Sequence, residues 1–446
     1  MKTCKIHIAS LGCPKNQVDA EVMAAILAGQ GFQITPEPQA AEVIIVNTCA
    51  FILPAREEAI DEILRMAQYK SAGALEQLVV TGCLPQRYGK TLEKELPEVD
   101  LFLGISEVAN ILHHITSIAA APPAGSRSII RKPDFLMNAD HTRLLPPSTA
   151  TAYLKIADGC SNRCTYCIIP KIRGKARSRP LDDILREAEG MADKGIKEII
   201  LIAQDTTAYG RDLKGTPRLS LLLQKLATIE KIRWIRLLYT HPAHLTEDVL
   251  VTMAAEEKIC KYIDVPIQHI DDAILKAMHR RTNRRQILAV IEKARTLIPH
   301  VALRTSLITG FPGETETRFQ RLLDLIRNSR FDHLGVFPYS REEGTPAAGL
   351  SSRISEKEKQ RRRNMLMEEQ AVISFQINQS LVGSKQECLI EGRSDHPDHP
   401  FYGRCRRQAP EIDGITYLKG GHPAPGDILT CTITDATEYD LFGELG

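Results

Sequence analysis

Three cysteines, Cys160, Cys164 and Cys167, stand with three and then two residues between them in the run DGCSNRCTYCIIPKIRG. Thiolates at this spacing can hold three irons of a four-iron, four-sulfur cluster, and no fourth cysteine follows closely enough to close the set. An iron left open can bind a small molecule and pass it an electron, whereas a structural zinc site is closed by four ligands. A zinc knuckle lacking its fourth ligand, or three unrelated thiols, would show the same spacing.

A second set is dispersed. Cys13, Cys49 and Cys83 each follow a strand-like apolar run, KIHIASLGC, EVIIVNTC and QLVVTGC, with helical stretches at Ala20 to Gly29 and Ala55 to Tyr69 between them. Strand, helix, strand, helix, strand reads as a parallel α/β domain, in which the carboxyl ends of the strands gather along one edge. Three thiols at equivalent strand ends then converge and favour a second cluster over three separately buried thiols. Gly12 and Gly82 precede two of them, as suits backbone that bends tightly beside a bulky group.

The elements that must carry these sets follow from the rest of the chain. At 446 residues it exceeds one compact core. We expect a multidomain α/β protein, with a parallel amino-terminal domain over 1–118 and a linker over 119–150 rich in proline and small residues. Next comes a partial (β/α)6 barrel with a trailing helix over 151–379, then a small antiparallel β-barrel over 380–446. The barrel strands are AYLKIADG, EIILIAQDT, WIRLLYT, YIDVPIQH, ALRTSLITGFPG and HLGVFPYS, and their carboxyl ends are where chemistry is expected. The trailing helix after Ser355 is expected to pack through Met365, Leu366, Ala371, Val372 and Phe375, with Arg361 to Arg363 as its solvated face.

Polar residues at the strand ends are candidates of a second kind. Gln204 and Asp205 end the second barrel strand, Gln268 and His269 the fourth, and Gly310 to Glu314 form a turn after the fifth that could meet an adenosine or an amino acid group. Each could equally be a satisfied structural group. Arg173 and Arg179, just past the cluster loop, could pair with a cofactor or substrate carboxylate through the forked guanidinium. Lys171, Lys175 and Arg177 read as solvated surface.

The Cys160, Cys164, Cys167 spacing with an aromatic residue, Tyr166, before the last cysteine resembles the signature of radical S-adenosylmethionine enzymes. The resemblance implies that the amino acid part of S-adenosylmethionine chelates the open iron and that cleavage yields a 5'-deoxyadenosyl radical. It also implies S-adenosylmethionine contacts at Tyr166, Gln204, Gly310, Glu314, Arg173 and Arg179. With the amino-terminal cysteine domain and a TRAM-like terminal barrel, the whole chain resembles the methylthiotransferases, which use two four-iron clusters. ASLGCPKNQVDAE, DGCSNRCTYCIIP and DVPIQHIDDAILKAMHRR are similar to the branch that modifies the β-carbon of an aspartate in protein twelve of the small ribosomal subunit. The other branch, acting on adenosine in transfer RNA, is the alternative; a noncatalytic iron-sulfur electron carrier is the alternative from another class.

Charge bears on that choice. Residues 380–446 hold 6 Lys plus Arg and 11 Asp plus Glu, a balance of 6 − 11 = −5. A module that grips phosphate should be basic, so this one suits a basic ribosomal protein, free or in the assembling subunit, although Arg404, Arg406 and Arg407 form a local patch that could touch RNA. An electron donor is a further expected partner. Eleven cysteines, and an amino terminus with only a brief apolar stretch, point to a reducing, cytoplasmic setting, and no apolar run is long enough for a membrane span.

Overall fold

The computed structural model describes residues 4–120, 125–147, 149–215, 218–351 and 353–446. Its contacts divide the chain into two compact units. The first comprises residues 1–145, 157–179 and 340–348, and the second residues 146–156, 180–339 and 349–446.

The first unit is built on a six-stranded parallel sheet, with strands β1 (Lys5–Ser10), β2 (Gln33–Ile34), β3 (Val43–Thr48), β4 (Gln77–Gly82), β5 (Leu101–Leu103) and β6 (Ser128–Ile129). The order is β2-β1-β3-β4-β5-β6. The central strands read VIIVNT and QLVVTG because helices cover both faces, and β3 is buried along its whole length. The edge strands, two residues each, escape the apolar pattern. One of them, β6, lies within the stretch expected to be a linker; it pairs in parallel with β5, so that stretch is part of the sheet there. Farther on, buried Arg143 donates from Nε to Glu21 Oε2 at 2.9 Å. The helix Pro14–Ala28 follows Cys13 directly, with proline at its first position, where a missing N–H costs nothing.

The cysteine loop 157–179 belongs to this unit. The expected strand AYLKIADG breaks at Ile156, and its tail, β8 (Ala157–Asp158), pairs antiparallel with β9 (Arg177–Ser178), closing the loop at its base. Ile168 and Ile172 join the apolar core under β3 and β4.

The second unit carries six parallel strands, β7 (Thr151–Lys155), β10 (Glu198–Ile202), β11 (Trp234–Leu237), β12 (Tyr262–Asp264), β13 (Ala302–Thr309) and β14 (His333–Pro338). They pair as two three-stranded halves, β11-β10-β7 and β12-β13-β14, and a single parallel bridge at Ile235 and Ile259 lies in the gap between them. Helices alternate with the strands, including Leu181–Asp193 and Glu316–Ser329. This is the partial barrel expected.

The terminal strands β15 (Lys385–Arg393), β16 (Phe401–Cys405), β17 (Thr416–Lys419), β18 (Ile428–Ala436) and β19 (Leu441–Leu445) close a barrel in the order β15-β16-β17-β19-β18. One pair departs from the antiparallel expectation: β17 and β19 run parallel. The core is lined by Cys388, Cys405 and Cys431 with Ile390, Leu418 and Ile433.

A buried ionic joint fixes this small barrel to the larger one. Glu198, fully buried, accepts from Arg236 Nε at 2.8 Å and Arg404 Nη2 at 2.7 Å. Burial alone would raise the Glu198 pKa, yet Arg404 and Arg236 outweigh it and bring the group down to about 2. Asp413 accepts from the Tyr262 hydroxyl at 2.7 Å, and Arg404 also reaches Glu391 at 2.7 Å. Arg406 pairs with Glu387, and Arg407 with Asp332. The local patch that could have touched RNA is therefore engaged in ion pairs inside this unit.

The trailing helix Glu356–Gln379 is capped by Ser355, whose side chain accepts from Glu358 N. Its inner face differs from the expected one. Leu366 and Ile373 are buried together with Lys359, Arg362, Gln370 and Ser374, while Val372 and Phe375 are exposed. The polar members are satisfied: Gln370 Nε2 donates to Phe331 O at 2.7 Å and Ser374 Oγ to Asp332 O at 3.0 Å. Arg362 is not solvated, because it pairs with Glu314 at 2.5 Å.

Candidate active site

Cys13, Cys49 and Cys83 follow the carboxyl ends of β1, β3 and β4, three adjacent strands. Cys13 caps the helix that begins at Pro14, and Cys83 opens the helix Cys83–Tyr88. The approach is tight. Gly12 has a φ of +91°, and a Cβ built on it would lie 2.5 Å from Cys49 Cβ and 3.0 Å from its Sγ. Gly82, at φ +96°, would put a Cβ 2.6 Å from Asn47 Oδ1. Only glycine allows both the left-handed backbone and the close packing. Gly12→Ala is accordingly expected to displace Cys49 and lower iron bound per chain after anaerobic reconstitution toward about half, the share of one of two clusters; undiminished iron content would contradict this.

Asn16 and Arg173 complete this pocket. Asn16 Nδ2 donates to Leu11 O at 2.9 Å and Thr48 O at 3.0 Å, and its Oδ1 accepts from Arg173 Nη2 at 2.6 Å. Cys83 Sγ lies 3.9 Å from the same oxygen. Burial pushes the Cys83 thiol up to about 12 and raises Cys49, with Arg173 opposing it at both. At Cys13 burial also pushes upward, but Lys15, Arg173 and the backbone N–H groups of Asn16 and Lys15 prevail and hold the thiol below its usual value. An all-sulfur donor set with a buried cation beside it fits an iron-sulfur cluster.

Cys160, Cys164 and Cys167 lie partly exposed in their loop. Cys160 N donates to Gly174 O at 3.0 Å and Cys167 N to Cys164 O at 3.1 Å. Thr165 O accepts from Ala347 N at 2.9 Å, so the loop is braced from residues 340–348 of the same unit. Tyr166 is half-buried beside the last thiol, Arg179 is fully buried, and Lys171 and Lys175 are exposed. Arg177 is not the solvated residue expected: it donates to Pro133 O at 2.5 Å and Arg173 O at 3.2 Å.

Gln204, Gly310 and Glu314 lie in the second unit, at the carboxyl ends of β10 and β13. Glu314 is committed within its own turn. It accepts from Gly310 N at 3.0 Å, from Arg362 at 2.5 Å and pairs with His269 at 3.1 Å, all buried. The carboxylate thus shapes the turn, and His269 is its partner.

Sequence reasoning ranked Asp205 low and missed its partners. Asp205 Oδ2 pairs with His244 Nδ1 at 2.8 Å, its Oδ1 accepts from Thr207 Oγ1 at 2.6 Å, and His241 stands beside them. The signal was present as HPAH after β11, four residues that hold two imidazoles. His241 is driven down to about 3 by burial first and Arg280 second, and Asp205 sits at about 2 because the histidines and Thr207 outweigh its burial. An imidazole with its folded pKa below the unfolded value makes the unfolded chain bind more protons as pH falls. The second unit should therefore lose stability as pH falls below the unfolded imidazole value of roughly 6.5, with His241 contributing to the loss. Denaturant melts at pH 7 and pH 5 check this; His241→Gln should flatten the slope, and equal slopes would refute it.

Comparison with known proteins places these modules. Residues 154–326 match the model of the radical SAM superfamily, residues 5–104 that of uncharacterized protein family UPF0004, and residues 382–445 that of the TRAM domain. A solved radical S-adenosylmethionine methyltransferase, TsrM from Kitasatospora setae, shares the fold at a TM-score of 0.56 and 12% identity, over 90% of this chain and 80% of that one. The match over residues 154–326 makes this a radical S-adenosylmethionine protein. Ribosomal protein uS12 methylthiotransferase RimO of Syntrophus aciditrophicus is 59% identical over 100% of this chain and 99% of the relative. The proteins of that name from Geobacter sulfurreducens and Heliobacterium modesticaldum are 48% and 47% identical over 99% of this chain and 98% and 95% of theirs. The chain belongs to the RimO family of uS12 methylthiotransferases.

Proposed function

We infer that this protein adds a methylthio group to the β-carbon of an aspartate in ribosomal protein uS12. The observation that carries this reading is identity of 45–59% along essentially the whole chain to proteins named for that activity. Cys160, Cys164 and Cys167 are assigned to one four-iron cluster and Cys13, Cys49 and Cys83 to a second. When bound, the first cluster with S-adenosylmethionine would supply a 5'-deoxyadenosyl radical, and the second would present or supply sulfur.

The chain's own residues position and shield. Gly12 and Gly82 let three strand ends close on the amino-terminal thiols, and Asn16 holds those ends in register through Leu11 and Thr48. Within the second unit, Gln204 and the Gly310 turn are assigned to S-adenosylmethionine, with Glu314 as the brace of that turn. Within the first, Tyr166 and Arg179 lie in the segment that carries the Cys160 loop, and Arg173 faces the amino-terminal thiols.

The acidic terminal barrel supports a basic protein as substrate, since its three clustered arginines are engaged internally. Among the described residues no helix is long and apolar enough to cross a membrane. A low-potential electron donor and a cytoplasmic place of action complete the proposal. Peptide mass spectrometry of uS12 from cells with and without this chain, alongside nucleoside analysis of transfer RNA, tests it. Loss of a methylthio mass on one aspartate is the expected result; loss on adenosine with uS12 unchanged would move the assignment to transfer RNA.

A further inference from the structure

The guanidinium of Arg173 is buried and reaches three groups at once. Nη1 donates to Asp158 Oδ2 at 2.9 Å, while Nη2 donates to Asn16 Oδ1 at 2.6 Å and Asp19 Oδ2 at 3.3 Å. Asp158 precedes Cys160 by two residues, and Asn16 and Asp19 lie in the helix that Cys13 caps. One cation therefore spans from the base of the cysteine loop to the backing of the amino-terminal thiols. Its field acts on Cys13, Cys49 and Cys83 alike, and in a buried setting that field is weakly screened. Lysine carries the charge but not the planar fork that meets carboxylates on two sides.

Resting on the assignment of a cluster to Cys13, Cys49 and Cys83, we propose that Arg173 is a positioning residue for that cluster, pinning the Cys160 loop to the helix behind Cys13 and raising the cluster's reduction potential. The physical reason is charge. Reduction adds an electron to the cluster, and a fixed neighbouring cation stabilises the more negative form. Asp158 and Asp19 partly offset it, so removing one of them should strengthen its effect.

The test is a redox titration of the full chain carrying Cys160→Ala, Cys164→Ala and Cys167→Ala, so that only the amino-terminal cluster reports. In that background Arg173→Gln is expected to shift the midpoint to more negative potential with iron per chain unchanged, and Arg173→Lys to restore most of the shift. Asp19→Asn is expected to shift it the opposite way, and it keeps the test open where Arg173→Gln does not fold. An unmoved midpoint in an iron-replete Arg173→Gln protein, or no positive shift in Asp19→Asn, would overturn the proposal. A background chain that binds no iron overturns the cluster assignment itself, and this inference with it; iron bound but insensitive to both charges overturns the inference alone.

Discussion

Cys160→Ala is expected to cleave no S-adenosylmethionine under strong reductant and to bind roughly half the iron of the unaltered chain, about four atoms in place of about eight. The change should be local. The loop is held by backbone bonds, Cys160 N to Gly174 O and Cys167 N to Cys164 O, and by the β8–β9 pair at its base, none of which needs the Cys160 sulfur. What is lost is one of three thiolates on which the open iron depends. Cys49→Ala should behave differently, retaining cofactor cleavage while losing methylthio transfer and the other half of the iron. The two proteins compared by iron analysis and by product chromatography for 5'-deoxyadenosine separate the roles of the two sets. Undiminished cleavage by Cys160→Ala would remove the basis for calling that set the radical site.

Arg404→Ala is expected to destabilise the second unit by about 3–5 kcal/mol, because it strands a fully buried carboxylate with half its countercharge. Glu198 would keep Arg236 but lose the 2.7 Å bond to Arg404, and Glu391 and the Gln408 carbonyl would lose their donor as well. Trp234, the only tryptophan in the chain, is buried in β11 with the Arg406 guanidinium 5.5 Å from its ring, so its fluorescence reports on this joint. Urea unfolding followed at that tryptophan measures the loss. Arg404→Lys, which keeps the charge without the fork, should fall between the two. A loss below about 1 kcal/mol would mean the joint is no stronger than a surface ion pair. Lys231→Ala, which removes an exposed partner of Asp193, is expected to leave the transition where it is.

How legible these features were depends on how local their causes are. Fully buried parallel strands such as VIIVNT and EIILI read as unbroken apolar runs, so the sheet and the barrel could be drawn from the sequence. Three thiols in one loop are equally local. The two-residue strands β2 and β6 were not legible, since their pairing is set by β1 and β5 rather than by their own residues. Nor could charge runs reveal that Arg362 and Arg404 are buried, because Glu314 and Glu198 lie 48 and 206 residues away. The pairing of His244 with Asp205 likewise needs the ends of two strands brought side by side. For the trailing helix, an amphipathic reading failed because its inner face is half polar and satisfied by backbone carbonyls.

The short edges of the amino-terminal sheet have a consequence for how the chain survives before it is loaded. A protein that awaits metal is exposed to self-association for as long as it waits, and open strand edges are the usual template. Here the sheet ends on one side at Gln33–Ile34 and on the other at Ser128–Ile129, each able to offer only a stub of unpaired backbone, while the terminal barrel closes on itself. The iron-free amino-terminal sheet therefore presents little edge for another copy to extend, and should resist strand-to-strand association long enough to be filled.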